Sequence, residues 1–204
     1  MQVAGIDIAC LALRKNPVAI FLSNWFKKHC MAPKLEQRLL LRHSFPQPQP
    51  ALFLDRDGVL IVDKHHLQDP DEVEICCGVR ELLHHAKQVG WPVVVITNQS
   101  GIARGYFGWD SYDLVTQRLL KLLNESLISG IYANGYGPGA PSCSWRKPSP
   151  AMLLEAQKDL NLDLERSIIV GDRRSDLEAG FQAGVPTLVH VLTGHGQSER
   201  PVIK

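Results

Sequence analysis

One short stretch, Ala51 to Leu60 (ALFLDRDGVL), limits this chain more tightly than any other. Four residues suited to a buried strand, Ala51 to Leu54, run directly into Asp55, Arg56, Asp57 and Gly58. A short apolar run closed by a turn signal marks a central parallel strand. Two carboxylates at its carboxyl end stand where open α/β sheets bind ligands. Asp55 and Asp57 share a face if the chain stays extended. Gly58, free to take φ > 0, lets the chain turn at once and leave both near one centre. An isolated Asp-x-Asp is more often an acidic turn, so the pair needs support from elsewhere.

That support follows in chain order. Residues 61–78 read as polar and irregular, placing Asp63, Lys64, His65 and His66 within reach of the carboxylate pair. Val79, Leu82, Leu83, Ala86 and Val89 mark one face of a helix, stopped by Gly90 and Pro92. Val93 to Ile96 is a second buried strand, ending in Thr97-Asn98-Gln99-Ser100-Gly101. Val115, Leu119 and Leu122 give the next helix its stripe. A weaker strand near Gly130 to Ala133 leads into a Gly/Pro-rich loop, 134–142. Ser149 before Pro150 is a helix start. Ser167 to Val170 is a fourth strand, ending in Gly171-Asp172, and Thr187 to Leu192 a fifth. Strands alternating with helices predict an α/β fold. The expected form is a Rossmann-like three-layer sandwich with a mostly parallel sheet, a small insert after the first strand and no large cap domain.

The 204 residues leave room for one medium domain and an appendage. A formal net charge of +1 hides an asymmetry. Residues 1–50 hold seven Lys/Arg against Asp7 and Glu36, and the other 154 hold 15 basic and 19 acidic groups. Such a body gives no argument for nucleic acid. Five cysteines without a C-x-x-C spacing point to reduced thiols in a cytosolic protein, with Cys76-Cys77 read as a buried apolar pair. No apolar run approaches the length that spans a bilayer. Val18 to Phe26, flanked by Arg14-Lys15 and Lys27-Lys28, reads as a short amphipathic helix or as residues preceding a start at Met31. A signal peptide would need a longer clean apolar core. Residues 1–50 are therefore expected to be an extension ending in a Pro-rich linker, Phe45 to Pro50, with residues 51–204 as the folded domain.

The strand ends make a specific set. Asp55, Asp57 and Asp172 are hard oxygen donors that suit Mg²⁺. Thr97 brings a hydroxyl, and Lys147, with Arg146 beside it, brings positive charge. Phosphoryl transfer needs mainly an in-line nucleophile, a metal and cationic donors for the charge on the equatorial oxygens. A carboxylate serves as that nucleophile through an aspartyl-phosphate. A second carboxylate two residues on can protonate the leaving oxygen and later activate water. Asp176 reads as a capping or salt-bridging acid that supports Lys147 or the metal's outer shell, and Asp172 as a helix N-cap as well.

The segments LFLDRDG, VITNQSGIARG, RKPSPAML and IIVGDRRSDLEAG, in this order, resemble the four signature motifs of the haloacid dehalogenase (HAD) superfamily of phosphatases. Within it, DRDG with TNQSGIARG and RKP is most similar to the heptose 1,7-bisphosphate phosphatases, with the histidinol-phosphate phosphatases as close relatives. The resemblance covers residues 51–195. It implies Asp55 as nucleophile, Asp57 as general acid/base, and Asp55, Asp57 (through its backbone carbonyl) and Asp172 as Mg²⁺ ligands. It implies Thr97 and Lys147 on the phosphoryl group and Arg146 on the substrate's second phosphate or sugar. The substrate segments fall on Asp63, Lys64, His65 and His66 and on Thr97, Asn98, Gln99 and Ser100. Arg173 stands where relatives commonly carry Lys. Arg104 and Tyr106 are expected to pin their loop.

Two departures stand out. Members of that group carry a zinc loop with Cys-x-His ahead of a Cys-x-Cys that abuts the Arg-Lys-Pro. Here the stretch reads YANGYGPGAPSCSWRKP, with Cys143 alone and Trp145 in place of its pair. One thiolate cannot build a four-ligand zinc site, so structural zinc is expected to be absent. The chain also ends soon after Gly194, where the resemblance leads one to expect a further strand and helix. The expected function is removal of the 7-phosphate from a heptose 1,7-bisphosphate by a cytoplasmic monomer, with no membrane or nucleic-acid partner. Histidinol phosphate is the alternative substrate, a polynucleotide phosphate is disfavoured by the acidic body, and an inactive phosphate-binding protein is the non-enzymatic rival.

Overall fold

The structure, a computed structural model, describes residues 37–41, 44–141 and 144–202, all within one compact unit. Its sheet has six strands: β1 Gln37–Leu41, β2 Leu52–Leu54, β3 Val93–Asn98, β4 Gly130–Asn134, β5 Ile168–Gly171 and β6 Thr187–His190. They lie in the order β1-β4-β3-β2-β5-β6. β2 pairs in parallel with both β3 and β5, and β3–β4 and β5–β6 are parallel too. From β2 the chain builds outward through β3 and β4, then returns to the other side of β2 for β5 and β6. The carboxyl ends of β2, β3 and β5 thus surround a switch in direction, the place where such sheets bind ligands. Helices cover the faces: α1 Val79–Gln88, α2 Ser100–Ala103, α3 Trp109–Leu123, α4 Ala151–Leu160, α5 Arg174–Ala183 and α6 Gly196–Glu199.

Strand alternation divides the core into two layers. Leu52, Leu54, Val93, Val95, Ile131 and Val170 face Val79, Leu83 and Ala86 of α1 and Val115, Leu119 and Leu123 of α3. Phe53, Val94, Ile96, Tyr132 and Ile169 face Met152, Leu153, Ala156 and Leu160 of α4 and Ala179 of α5. With both faces covered, the central strands can be apolar throughout, as their sequences are. The insert adds Leu60, Ile61, Leu67 and Val73 to the first layer and forms no separate domain.

Three expectations change. The boundary at residue 51 is too late: β1 pairs antiparallel with β4 from Gln37–Asn134 to Leu41–Gly130. Phe45 donates its N–H to Leu160 O and packs against the second core layer. The segment Gln37–Leu41 contains no β-branched or aromatic residue, so its strand comes from the partner β4 supplies, not from propensity. The expectation for residues 1–36 lies outside the described residues. Cys76 and Cys77 are not a buried pair, since Cys76 is half-buried beside the first layer and Cys77 is exposed. The stripe on α1 narrows to Val79, Leu83 and Ala86, with Leu82 and Val89 left at the surface. Among the described residues no helix is long and apolar enough to cross a membrane.

Gly180 sets how closely α5 approaches the sheet. A Cβ there would lie 2.5 Å from Ile169 Cγ2 and 3.1 Å from Leu188 Cδ2. Ile169 is β-branched and stiff at χ1, so it has little room to yield. Gly180→Val is expected to lower stability by about 1–3 kcal/mol, read as a shift of the denaturation midpoint. An unchanged midpoint would show that α5 can move outward freely.

Candidate active site

The strand β2 ends on Asp55, whose N–H still pairs with Val170 O at 3.1 Å. The chain then turns: the N–H groups of Leu60 and Ile61 both donate to Arg56 O, and Gly58 takes φ +86°. That glycine is required by more than its dihedral. A Cβ on it would come within 2.5 Å of Asp172 Oδ2, and one on Gly194 within 2.4 Å of the same oxygen. The two glycines thereby let the loops after β2 and β6 close over Asp172, at the end of β5.

Lys147 occupies the centre. Its ammonium lies 3.0 Å from Asp55 Oδ1 and 2.7 Å from Asp176 Oδ1, and donates to Ile96 O at 2.8 Å. The side chain is almost wholly buried, and its backbone is fixed from β3: Lys147 N donates to Asn98 Oδ1, and Asn98 Nδ2 donates to Lys147 O, both at 3.1 Å. Burial works against the ammonium charge, but Asp176 and Asp55 outweigh it, so the proton is held more tightly than on an ordinary lysine. Asp176 also accepts from Arg173 N through Oδ2 at 3.0 Å, which settles it in the first turn of α5. It therefore fills both roles expected of it near Lys147 and at the helix start.

Asp55 and Asp57, two residues apart, have different surroundings. Asp55 Oδ1 accepts from Arg56 N at 2.7 Å as well as facing Lys147. Burial pushes its carboxyl up to about 8; Lys147 opposes the rise, and Asp176, Asp172 and Asp57 add to it. Asp57 is held instead by Arg56, whose Nη2 reaches Oδ1 at 3.0 Å and Nε reaches Oδ2 at 3.1 Å, and by Gln99 Nε2 at 2.8 Å from Oδ2. Gln99 Oε1 accepts from Arg56 Nη2 at 2.9 Å, and the buried guanidinium stands 5.3 Å from the Tyr112 ring. Arg56 was given no role by the sequence, although an arginine between two acids at the end of a buried strand must be paired to be buried.

These groups open into a cavity of about 520 Å³, lined by Asp55, Asp57 and Lys147 and by most of the expected substrate residues. Asp63, His65, His66, Asn98, Gln99, Ser100 and Arg146 all reach it. Lys64 does not: as the neighbour of inward-facing Asp63 it points away, with Nζ 3.7 Å from Glu74 Oε2 at the surface. Thr97 also stays out of the lining, buried with its Oγ1 accepting from Gln99 Nε2 at 2.8 Å. Arg104, expected only to pin its loop, joins Arg146 and Arg173 in the wall. Burial, then the nearby Arg104 and Arg173, lower the proton affinity of Arg146, the mark of a patch with unmatched positive charge. His195 was missed altogether. Its N–H donates to Asp172 Oδ2 at 2.7 Å and its Nε2 lies 3.0 Å from Asp63 Oδ2, a partner too distant in sequence to leave a local signal.

Asp172 is not a helix cap; the residue preceding α5 is Arg173, and Asp172 is fully buried behind the cavity lining, grouped with Asp55 and Asp176. Donor atoms of Asp55, Asp172 and Asp176 lie within 4.8 Å of one another. Asp172 Oδ1 is buried without a hydrogen-bond partner, and burial raises that carboxyl's proton affinity despite the His195 N–H. Four carboxylates (Asp55, Asp57, Asp172, Asp176) face two cations, Lys147 and Arg56, so the cluster has excess negative charge and an unused hard donor. Both fit a divalent cation with oxygen ligands. The Asp57 side chain is committed to Arg56 and Gln99, which leaves its backbone carbonyl as its means of joining such a set. Cys143, on which the zinc expectation rests, lies outside the described residues; Trp145 packs on Tyr132, ring centroids 5.5 Å apart.

A family model described as HAD-hydrolase-like matches residues 144–201, the part that carries Lys147, Asp172 and Asp176. The D-glycero-beta-D-manno-heptose-1,7-bisphosphate 7-phosphatase of Mesorhizobium japonicum is 48% identical over 149 residues, 69% of this chain and 69% of its own length. Its namesake in Haemophilus influenzae is 41% identical over 151 residues, 71% of this chain and 82% of its own. The solved D,D-heptose 1,7-bisphosphate phosphatase of B. bronchiseptica, complexed with magnesium and phosphate, is similar with a TM-score of 0.68 and 31% identity, over 76% of this chain and 87% of its own. The chain belongs to the HAD-like phosphatases, in the family of the heptose-1,7-bisphosphate 7-phosphatases.

Proposed function

We propose that this enzyme removes the 7-phosphate of D-glycero-D-manno-heptose 1,7-bisphosphate, with Mg²⁺ and through an aspartyl-phosphate on Asp55. The observation that carries the reading is the buried Lys147, set between Asp55 and Asp176 at the floor of an open cavity. Asp55 Oδ1 is occupied by Lys147 and Arg56 N, so Oδ2 is the oxygen left to attack phosphorus. The new Oδ2–P bond forms as the P–O bond to the sugar breaks. Asp57 gives a proton to the departing sugar oxygen, then takes one from the water that attacks the aspartyl-phosphate, releasing phosphate and restoring Asp55. Lys147 draws charge from the phosphoryl oxygens, and Thr97, through Gln99, steadies Asp57. Mg²⁺ would be held by the Asp55 and Asp172 carboxylates and the Asp57 carbonyl, and would supply the positive charge that brings two anions together. Arg104, Arg146 and Arg173 line the wall that receives the second phosphate, and Asp63, His65 and His66 face the sugar. The free thiols of Cys76 and Cys77 are in keeping with a cytoplasmic enzyme.

Phosphate release from the α and β heptose 1,7-bisphosphates and from histidinol phosphate, with Mg²⁺ and with chelator, tests this. Both anomers matter because similar phosphatases are named for each. Turnover is expected to need Mg²⁺ and to favour a bisphosphate, and Asp55→Asn is expected to lower kcat by at least about 10³-fold. No turnover of any heptose bisphosphate, or an active Asp55→Asn enzyme, ends the proposal.

The bond from Gln99 to Asp57 gives a second prediction. Gln99→Ala should reduce kcat/KM for an alkyl phosphate about tenfold more than for p-nitrophenyl phosphate, whose leaving group needs no proton. Equal losses would mean that Gln99 serves packing alone.

The raised Asp55 carboxyl gives a pH dependence. Its folded proton affinity exceeds the unfolded one, so its contribution to metal-free stability is present in acid and is lost as pH rises through about 8. Mg²⁺ takes the ionised form. The rise in Tm on adding Mg²⁺ should therefore be larger at pH 9 than at pH 6, and Asp55→Asn should flatten the difference. A Mg²⁺ shift that is independent of pH in the wild type would contradict it.

A further inference from the structure

Apart from the Asp55 cluster, a second set of metal-ligating side chains meets at the cavity. Asp63 and His65 come from the insert after β2, and His195 from the loop between β6 and α6. One donor atom from each lies within 4.8 Å of the others, and all three residues line the cavity. Asp63 Oδ2 is 3.0 Å from His195 Nε2, and the rings of His65 and His195 meet edge to face with centroids 5.8 Å apart.

We propose that Asp63, His65 and His195 form a second metal site that takes Zn²⁺ in preference to Mg²⁺. The donor set decides the metal. Two imidazoles and one carboxylate are what Zn²⁺ accepts while a fourth position stays open to water or a ligand oxygen. Mg²⁺ favours oxygen donors alone, and those are gathered around Asp172. At zinc bond lengths of about 2.0–2.2 Å, tetrahedral donors stand roughly 3.4 Å apart, so each side chain here travels on the order of 1 Å or less.

The supporting contacts are already made. Asp63 Oδ1 accepts from His65 N at 2.9 Å, which orients the carboxylate, and the His195 backbone N–H donates to Asp172 Oδ2, which fixes the main chain that carries the ring. Such outer contacts set ligand orientation in metal sites. A plain ion pair of Asp63 with His195 accounts for two of the three residues. It does not involve His65, which the turn closed by Asp63 Oδ1 brings in with its ring against His195. Arg173 Nη2, 3.9 Å from Asp63 Oδ2, is the competing cation, and its half-exposed side chain is free to withdraw into the cavity. An ion at this point joins the insert to the loop after β6, which also meet where Thr193 Oγ1 donates to Gly58 O.

The test titrates Zn²⁺ into full-length protein by calorimetry at a constant millimolar excess of Mg²⁺, with Co²⁺ as the spectroscopic substitute. One Zn²⁺ per chain is expected to bind under Mg²⁺. His65→Gln and His195→Gln should each weaken it by tenfold or more, while Asp55→Asn leaves it in place. The Co²⁺ form of the wild type should show two paramagnetically shifted imidazole N–H resonances, a readout that stands even if a histidine variant fails to fold. Absence of Zn²⁺ binding under Mg²⁺, its survival in both histidine variants, its loss in Asp55→Asn, or the lack of shifted imidazole resonances each overturns the proposal. Turnover enters none of these measurements, so the outcome is independent of the heptose assignment.

Discussion

A buried ammonium between two buried carboxylates is the contact on which the rest of this structure depends. Lys147 is placed by Asn98 from β3, and it meets Asp55 from β2 and Asp176 from α5. Removing one partner of such an arrangement leaves an uncompensated charge in the interior, at a cost of about 3–5 kcal/mol. The Lys147 ammonium donates to a strand carbonyl, Ile96 O, and stands at ion-pair distance from two carboxylates, so its charge is matched on three sides. That matching lets the charge remain out of water and the cavity floor stay fixed.

The sheet explains why these segments meet. β2 is central, with β3 on one side and β5 on the other, and each ends in a polar group at the same edge. Packing then demands small residues where loops cross. Gly58 and Gly194 both press on Asp172, and a Cβ on Gly171 would lie 2.3 Å from Asp176 Cβ. At Asp172 and Asp176 glycine backbone takes the space a side chain would need, so the floor is narrow while the cavity above it stays open.

Residues that announce themselves locally were legible in the sequence. Asp55, Asp57, Asp172 and Lys147 each stand at the end of an apolar run or beside a turn. What depended on distant partners was not legible. His195 gains meaning only from Asp63 and Asp172, and β1 forms only because β4 offers an edge to a segment of low strand propensity. Lys64 was misjudged for the opposite reason: nearness in sequence to Asp63 implied a shared direction, and adjacent side chains do not share one. Thr97 was read just past a strand ending at Ile96, but the strand runs on through Asn98, and the Thr97 hydroxyl serves Gln99 and does not reach the cavity wall.

The same logic separates two acids that the sequence presents as equals. Asp55 answers to Lys147 and sits among Asp172 and Asp176, whereas Asp57 answers to Arg56 and Gln99. Opposed environments for neighbouring carboxyl groups are how one site assigns different duties to the same chemical group. Arg56 does this by bending back along its own turn to grip the next residue, which leaves the Asp57 carboxylate outside the cluster of Asp55, Asp172 and Asp176. Were Asp57 instead to join Asp55 at Lys147, three carboxylates would compete for one ammonium. The pair is thus divided by a cation lodged between its members in the chain, and that division, more than the spacing itself, gives the two carboxylates of Asp-x-Asp the separate surroundings on which the proposed nucleophile and proton carrier rest.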